Sequence, residues 1–278
     1  MKSQLPVAAL AAALALAAAP SAAEELPLWE VGVGVGAVSF PDYRGSDRQR
    51  THALPVPYVI YRGEFLKADR DGIRGVFFDS ERVELNMSLA ASLPVDSDGN
   101  GARRGMPDLQ PTIEFGPSLE LNLWRSADRR ARVDFRMPLR AAFTVRGGMR
   151  HVGMVFTPFV NLDVKDPFGQ HGWNLGMLAG PIYGDARQHR YFYDVDARYA
   201  RPDRPAYRAS GGYGGTQFIM ALSKRYERFW VGSFVRYDTL SGAAFADSPL
   251  VRKKSAWAAG IGMAWVLGQS SQTVNVGD

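Results

Sequence analysis

The sequence predicts an all-β protein: a transmembrane, antiparallel, up-and-down β-barrel of about twelve strands, with about ten or fourteen as the neighbouring counts. Three observations carry that expectation. Long segments alternate apolar and polar residues at period two. No segment of the mature chain offers the ~20 consecutive apolar residues of a membrane helix. The chain also begins with an export signal. Composition is compatible with all three: 278 residues, 46% hydrophobic and 12% aromatic with a net charge of +5, can bury enough surface to fold. Cysteine is absent, which excludes disulfides, thiolate nucleophiles and cysteine-ligated metals. The basic residues are scattered rather than clustered, so no nucleic-acid partner is expected.

Lys2 is the sole charge before Glu24, and an alanine- and leucine-rich run follows it over 7–19. Ser21 and Ala23 are small residues where a signal peptidase reads, so residues 1–23 are expected to be cleaved after Ala23. Residues 24–278 then form the barrel domain, with a short C-terminal tail over 268–278.

The strands follow in order. Expected spans are 29–40, 52–62, 64–78, 82–93, 111–124, 131–144, 152–164, 172–184, 187–198, 212–223, 227–238 and 254–267. Val83, Leu85, Met87, Leu89, Ala91 and Leu93 share one parity, against Glu84, Asn86 and Ser88 on the other. Ile113, Phe115, Leu119, Leu121 and Leu123 oppose Glu114, Ser118 and Glu120, and Val133 to Phe143 oppose Arg132, Asp134, Arg136 and Arg140. Trp257, Ala259, Ile261, Met263 and Trp265 oppose small Ala and Gly. A soluble sandwich and a membrane barrel give the same string. Strand length favours the membrane, and so do Trp29, Trp124, Trp173, Trp230, Tyr58, Tyr61 and Tyr183 near strand ends, where an aromatic girdle would lie. Segments 41–51, 199–211 and 239–253 suit external loops, but 94–110 is long and follows an even-numbered strand; a hairpin at Asp71-Gly72 would shift the parity.

The motifs are modest. Asp96-Ser97-Asp98-Gly99-Asn100-Gly101 resembles the start of a calcium loop, but Pro107 stands where the bidentate Glu is needed, so a polar turn is the better reading. Gly32, Gly34 and Gly36 lie inside a strand pattern rather than before a helix, which excludes a dinucleotide fingerprint. None of His52, His151, His171 and His189 has a Ser two residues on, and no catalytic constellation, cofactor site or metal site emerges. Asp194 and Asp196 read as lumen acids. Arg132, Arg136 and Arg140 form a lumen basic stripe, for which Glu84, Glu114, Glu120 and Asp134 are available partners.

An ordered set of short pieces carries a resemblance. It comprises Pro41-Asp42-Tyr43-Arg44-Gly45-Ser46, Leu54-Pro55-Val56-Pro57-Tyr58, Tyr61-Arg62-Gly63, Asp71-Gly72-Ile73-Arg74-Gly75, Arg104-Gly105-Met106-Pro107-Asp108, Tyr191-Phe192-Tyr193, Pro205-Ala206-Tyr207, Gly211-Gly212-Tyr213, Phe229-Trp230-Val231-Gly232 and Asp247-Ser248-Pro249-Leu250-Val251. Together they resemble the MltA-interacting protein (MipA)/OmpV family of outer-membrane proteins. The resemblance implies a non-enzymatic barrel in outer-membrane lipid, a scaffold tethering a lytic transglycosylase to a bifunctional murein synthase. The rival expectation, from the arginine stripe, is a small-solute or antibiotic-permeable channel or uptake pore.

Overall fold

The computed structural model describes residues 24–69 and 72–276. The expected signal segment lies outside the described residues. Alternating segments become strands β1 (Glu24–Pro27), β2 (Trp29–Pro41), β3 (Gln49–Arg62), β4 (Leu66–Asp69), β5 (Gly72–Asp79), β6 (Val83–Ser92), β7 (Thr112–Arg125), β8 (Ala131–Thr144), β9 (Arg150–Phe156), β10 (Phe159–Lys165), β11 (Trp173–Gly184), β12 (Gly212–Arg225), β13 (Phe229–Thr239), β14 (Ser255–Gln269) and β15 (Thr273–Val276). β9 and β10 are one crossing, since both pair with β8 and both pair with β11. The break falls at Thr157-Pro158, where proline has no N–H for the ladder. β14 pairs with β2 and closes the wall, so β2 to β14 make twelve antiparallel crossings.

That count equals the expected one through two offsetting differences. Residues 64–78, expected as one strand, are the hairpin β4–β5. Residues 187–198, expected as a strand, are instead helix α1 (Ala186–Tyr193) followed by a 3-10 turn over 197–199. The helix wins because Asp185 caps it, accepting from the Gln188 amide at 2.7 Å, and because His189 and Tyr193, four apart, bury one face. Asp194 and Asp196 are therefore cap residues outside the lumen. The hairpin also removes the loop anomaly. Loops 42–48, 93–111, 145–149, 185–211 and 240–254 all leave the same end of the barrel, while both termini and the short turns occupy the other. Long loops mark the external end of such a barrel.

Burial decides between the two readings of the alternation. The apolar parity faces outward: Val35 is 60% exposed and Ile261 67%, with Leu85, Leu89, Phe115, Met177 and Met220 also exposed. The polar parity is inside, where Asn86, Ser118, Asp134 and Asn161 are buried. A soluble sandwich would show the reverse. No helix among the described residues is long and apolar enough to cross a membrane. The girdle is partly as expected: Trp29, Trp124 and Tyr183 are exposed on the outer face, and Lys224 lies 5.2 Å over the Trp173 ring. Tyr58 and Trp230 differ. They sit on the inward parity, with ring centroids 6.5 Å apart, because each is one residue out of step with its outward neighbours.

Gly32 on β2 shows why the wall tolerates so many glycines. A Cβ there would fall on the Trp265 carbonyl of β14, so close backbone approach at the closing seam requires glycine. Past Gln269 the chain does not trail away: Thr273–Val276 pairs with Glu24–Pro27 in a two-stranded ribbon at the termini end. Replacing Ile261 with Arg, in the middle of the apolar band, is expected to cost about 2–4 kcal/mol in urea unfolding from lipid vesicles, and Ile261→Val far less.

Candidate functional site: a capped mouth over a charged lumen

The external loops build the cluster of buried apolar residues that the barrel interior lacks. Tyr43, Val95, Leu109, Tyr193, Val195, Leu240, Phe245 and Leu250 are buried together, each from a loop or from α1. Tyr193 and Phe245 stack at 3.7 Å between centroids, and His189 meets Phe245 edge-on at 4.6 Å. Hydrogen bonds lock one loop to the next. Tyr43 donates to the Leu250 carbonyl at 2.8 Å, Tyr193 to the Arg44 carbonyl at 2.9 Å, and Ser248 to the Tyr193 carbonyl at 2.8 Å. Two buried arginines act as staples through backbone carbonyls. Arg103 donates to the Phe192 and Pro107 carbonyls, and Arg204 to those of Ala102, Arg104 and Tyr199. Loops that are usually mobile are here a packed cap.

Gly153 on β9 lets the cap rest on the wall. Its φ is +128°, and a Cβ would strike the Asp185 carboxylate and the Gln188 amide at the start of α1. Burial pushes the Tyr43 phenol up to about 12 and raises that of Tyr193 as well. Burial also lowers the pKa of His189, helped by Arg44 and opposed by the Ser210 carbonyl and Asp185. Its Nδ1 donates to the Ser210 carbonyl at 2.7 Å.

Below the cap the lumen carries paired charge. Arg132, Arg136 and Arg140 each lie against carboxylates. Arg132 lies 2.9 Å from Asp134 and 3.4 Å from Asp163. Arg136 lies 3.1 Å from Glu120 and 3.4 Å from Asp134, and Arg140 lies 3.1 Å from Glu114. Asp134, at 0% exposure, is the hub. Two further knots close the ends. Glu30 holds Arg62 and Arg225, both at 2.8 Å, near the termini, and Asp238 holds Arg44 at 2.9 Å and Arg236 at 2.7 Å near the cap. Sequence reasoning named Glu114, Glu120 and Asp134 as partners but missed Asp163 and both knots, whose members are far apart in the chain. Glu84, the fourth named acid, pairs with Arg74 at 3.2 Å instead.

The histidines are dispersed. His52 stacks on Phe40, His151 faces Arg187 at 2.9 Å, His171 lies 3.2 Å from Asp166, and His189 is in the cap. In the calcium-like loop, Asp96 accepts from the Asp98 amide and Asp98 from the Gly105 amide, as in a turn. Among the described residues no group of three or more His, Asp or Glu could hold a metal.

Comparison with known proteins adds kinship. The family model described as MltA-interacting protein MipA matches residues 33–267. Outer membrane protein OmpV of Vibrio cholerae is 24% identical over 211 residues, covering 74% of this chain and 75% of that protein. Outer membrane protein Omp26La of Vibrio anguillarum is 25% identical over the same shares. Among solved structures, a bacterial polysaccharide outer membrane secretin aligns with a TM-score of 0.44 at 7% identity, over 86% of this chain and 99% of that one.

Two outcomes follow from the geometry. Asp134→Ala leaves Arg132 and Arg136 short of their shared partner and should cost about 3–5 kcal/mol in vesicle unfolding. His189 is held neutral by burial, so the cap is fully stable above the ordinary histidine pKa of 6.5 and weakens as pH falls towards the lowered value. Hydrogen exchange over 186–193, corrected for intrinsic rate, should accelerate between about pH 7.5 and 5, and His189→Phe should abolish that dependence.

Proposed function

The chain belongs to the MltA-interacting protein MipA family and is an outer-membrane β-barrel, and we propose that it is a closed, non-enzymatic anchor that holds murein-processing enzymes at the membrane. One observation supports the reading: the external loops pack into a cap of buried residues at one end, above lumen charges that are paired with carboxylates of the same and neighbouring strands. A barrel closed in this way is a poor conduit and a rigid platform. The family's description supplies the partner class, a lytic transglycosylase, and a bifunctional murein synthase is the second partner in this proposal. The platform side is the end that carries the turns and the β1–β15 ribbon, which faces away from the external loops.

Crosslinked envelopes test the anchor directly. Capture of this protein should co-recover a lytic transglycosylase or a murein synthase, and capture after deletion of 273–278 should recover less. Repeated recovery of neither enzyme with an intact barrel would overturn it.

The alternative is an anion-preferring pore lined by Arg132, Arg136 and Arg140. The pairing of each with a carboxylate counts against it, since neutralised arginines supply no basic stripe. Purified protein in a planar bilayer should show no steady conductance. Channel steps that lose anion preference on Arg136→Glu would favour the pore instead.

A further inference from the structure

The wall is not hydrogen-bonded along its whole height. β3 has fourteen residues but its neighbour β4 has four, and among the described residues the two pair only at Tyr61↔Ala68 and Arg62↔Lys67. Across the hairpin, β5 meets β6 only from Gly75↔Met87 to Asp79↔Glu84. Among the described residues, the edge of β3 over 49–60 and the edge of β6 over 88–92 therefore have no strand between them. Two strands are missing at that height, which parts β3 and β6 by up to roughly 14 Å.

The backbone of β3 is suited to this. The Arg62 amide donates to the Leu28 carbonyl at 2.8 Å, so even-numbered residues bond towards β2 and odd-numbered residues turn their amides to the gap. The odd positions are Thr51, Ala53, Pro55, Pro57 and Val59. Pro55 and Pro57 have no N–H to leave unsatisfied, and they deny donors to any strand that would add to the edge. An unpaired edge in hydrocarbon is otherwise costly.

The gap lies within the lipid band and opens on an apolar surface. Pro57 pairs with Val33, which pairs with Trp265; Thr51 pairs with Ser39, which pairs with Ala259. Rows 51–57 are thus level with the exposed stretch around Ile261. The inward parity of β3 over 54–60 is Leu54, Val56, Tyr58 and Ile60, with the Tyr58 ring 6.5 Å from that of Trp230 on β13. The stretch lies between the Glu30 knot, whose Glu30 accepts from Tyr58 at 3.3 Å, and the Arg236–Asp238 pair of β13. The Asp134 network is on β7, β8 and β10. Leu54 points inward yet is 40% exposed. Arg50, paired with Asp42 at 2.6 Å, reaches the Asp96 carbonyl at 3.3 Å and ties loop 93–111 across the top.

We propose that this gap is a lateral opening through which a single-chain apolar molecule of the surrounding leaflet, a fatty acyl chain, enters from the membrane and binds against Leu54, Val56, Tyr58 and Phe234. The external loops pack over one end of the barrel, and the side is where hydrocarbon meets the apolar stretch of Leu54, Val56 and Ile60. This is independent of the anchor reading, and its readout does not involve murein enzymes.

The test uses the full mature protein in phospholipid vesicles containing a diazirine-bearing fatty acid, with mass spectrometry of the peptides labelled on irradiation. Labels are expected on inward residues of 54–60 and on 230–234, as well as on outward Val35 and Ile261. Val56→Trp should lower the inward labels by about tenfold and leave the outward ones unchanged; Leu54→Phe is the milder substitute if that variant fails to show heat-modifiable migration. Labels confined to outward residues in the wild-type protein, or inward labels indifferent to both substitutions, would overturn the proposal.

Discussion

Everything in this molecule depends on satisfying backbone amides where no water can do so. In hydrocarbon each unpaired N–H or C=O costs several kcal/mol, so a sheet must close on itself. The β14–β2 pairing performs that closure, and it brings the strands close enough that Gly32 cannot be replaced by a larger residue without displacing the Trp265 carbonyl. The same constraint explains two of the places where the ladder is interrupted. At Thr157-Pro158 the Thr157 amide finds the Pro138 carbonyl at 3.1 Å, and β9 and β10 resume the same crossing. Along β3, prolines stand where donors would otherwise be stranded.

Closure creates the second problem, a narrow interior that must hold the polar parity of twelve crossings. The solution is electrostatic rather than hydrophobic. Asp134, Asp163 and Glu120 are shared between Arg132 and Arg136, while Glu30 and Asp238 each bind two arginines. Shared partners make the network stiff, because no single side chain can leave without stranding another charge. Ordinary hydrophobic packing is displaced to the external cap, the one part of the chain that resembles the core of a soluble domain. The barrel interior and the loop cap thus rest on opposite chemistry.

Much of this was legible in the sequence, for a reason that also sets the limit. Period-two alternation is a local signal, so the strands and their lipid faces could be read from runs such as Val83 to Leu93. What is decided by contacts far apart in sequence could not. Asp163 and Arg132 meet only because β10 and β8 align, and Arg44 meets Asp238 across 194 positions. The helix at 186–193 was legible but passed over: Asp185 with Gln188 three residues on is a capping signature, and Tyr191-Phe192-Tyr193 is a run rather than an alternation. The span 64–78 reads as one strand or, with a turn at Asp71-Gly72, as two, and the β4–β5 hairpin is the second of these. Pro55 and Pro57 announced a weakened ladder on one edge, though only the brevity of β4 shows which edge stands open.

A barrel stiffened inside, capped outside and slack in one sector of its wall is not symmetric in what it can exchange. Ions and polar solutes moving along the axis meet paired guanidiniums and carboxylates, then the buried faces of Tyr193 and Phe245. Displacing any one of these charges breaks several charge-assisted bonds at once. Apolar molecules moving in the membrane plane meet only the edge of β3, where the prolines have already removed part of the backbone's demand for partners. The two directions are therefore governed by different physics. Charge pairing dominates one, and the geometry of a short hairpin the other, so the proposed anchor and the proposed acyl-chain site make separate demands on the barrel.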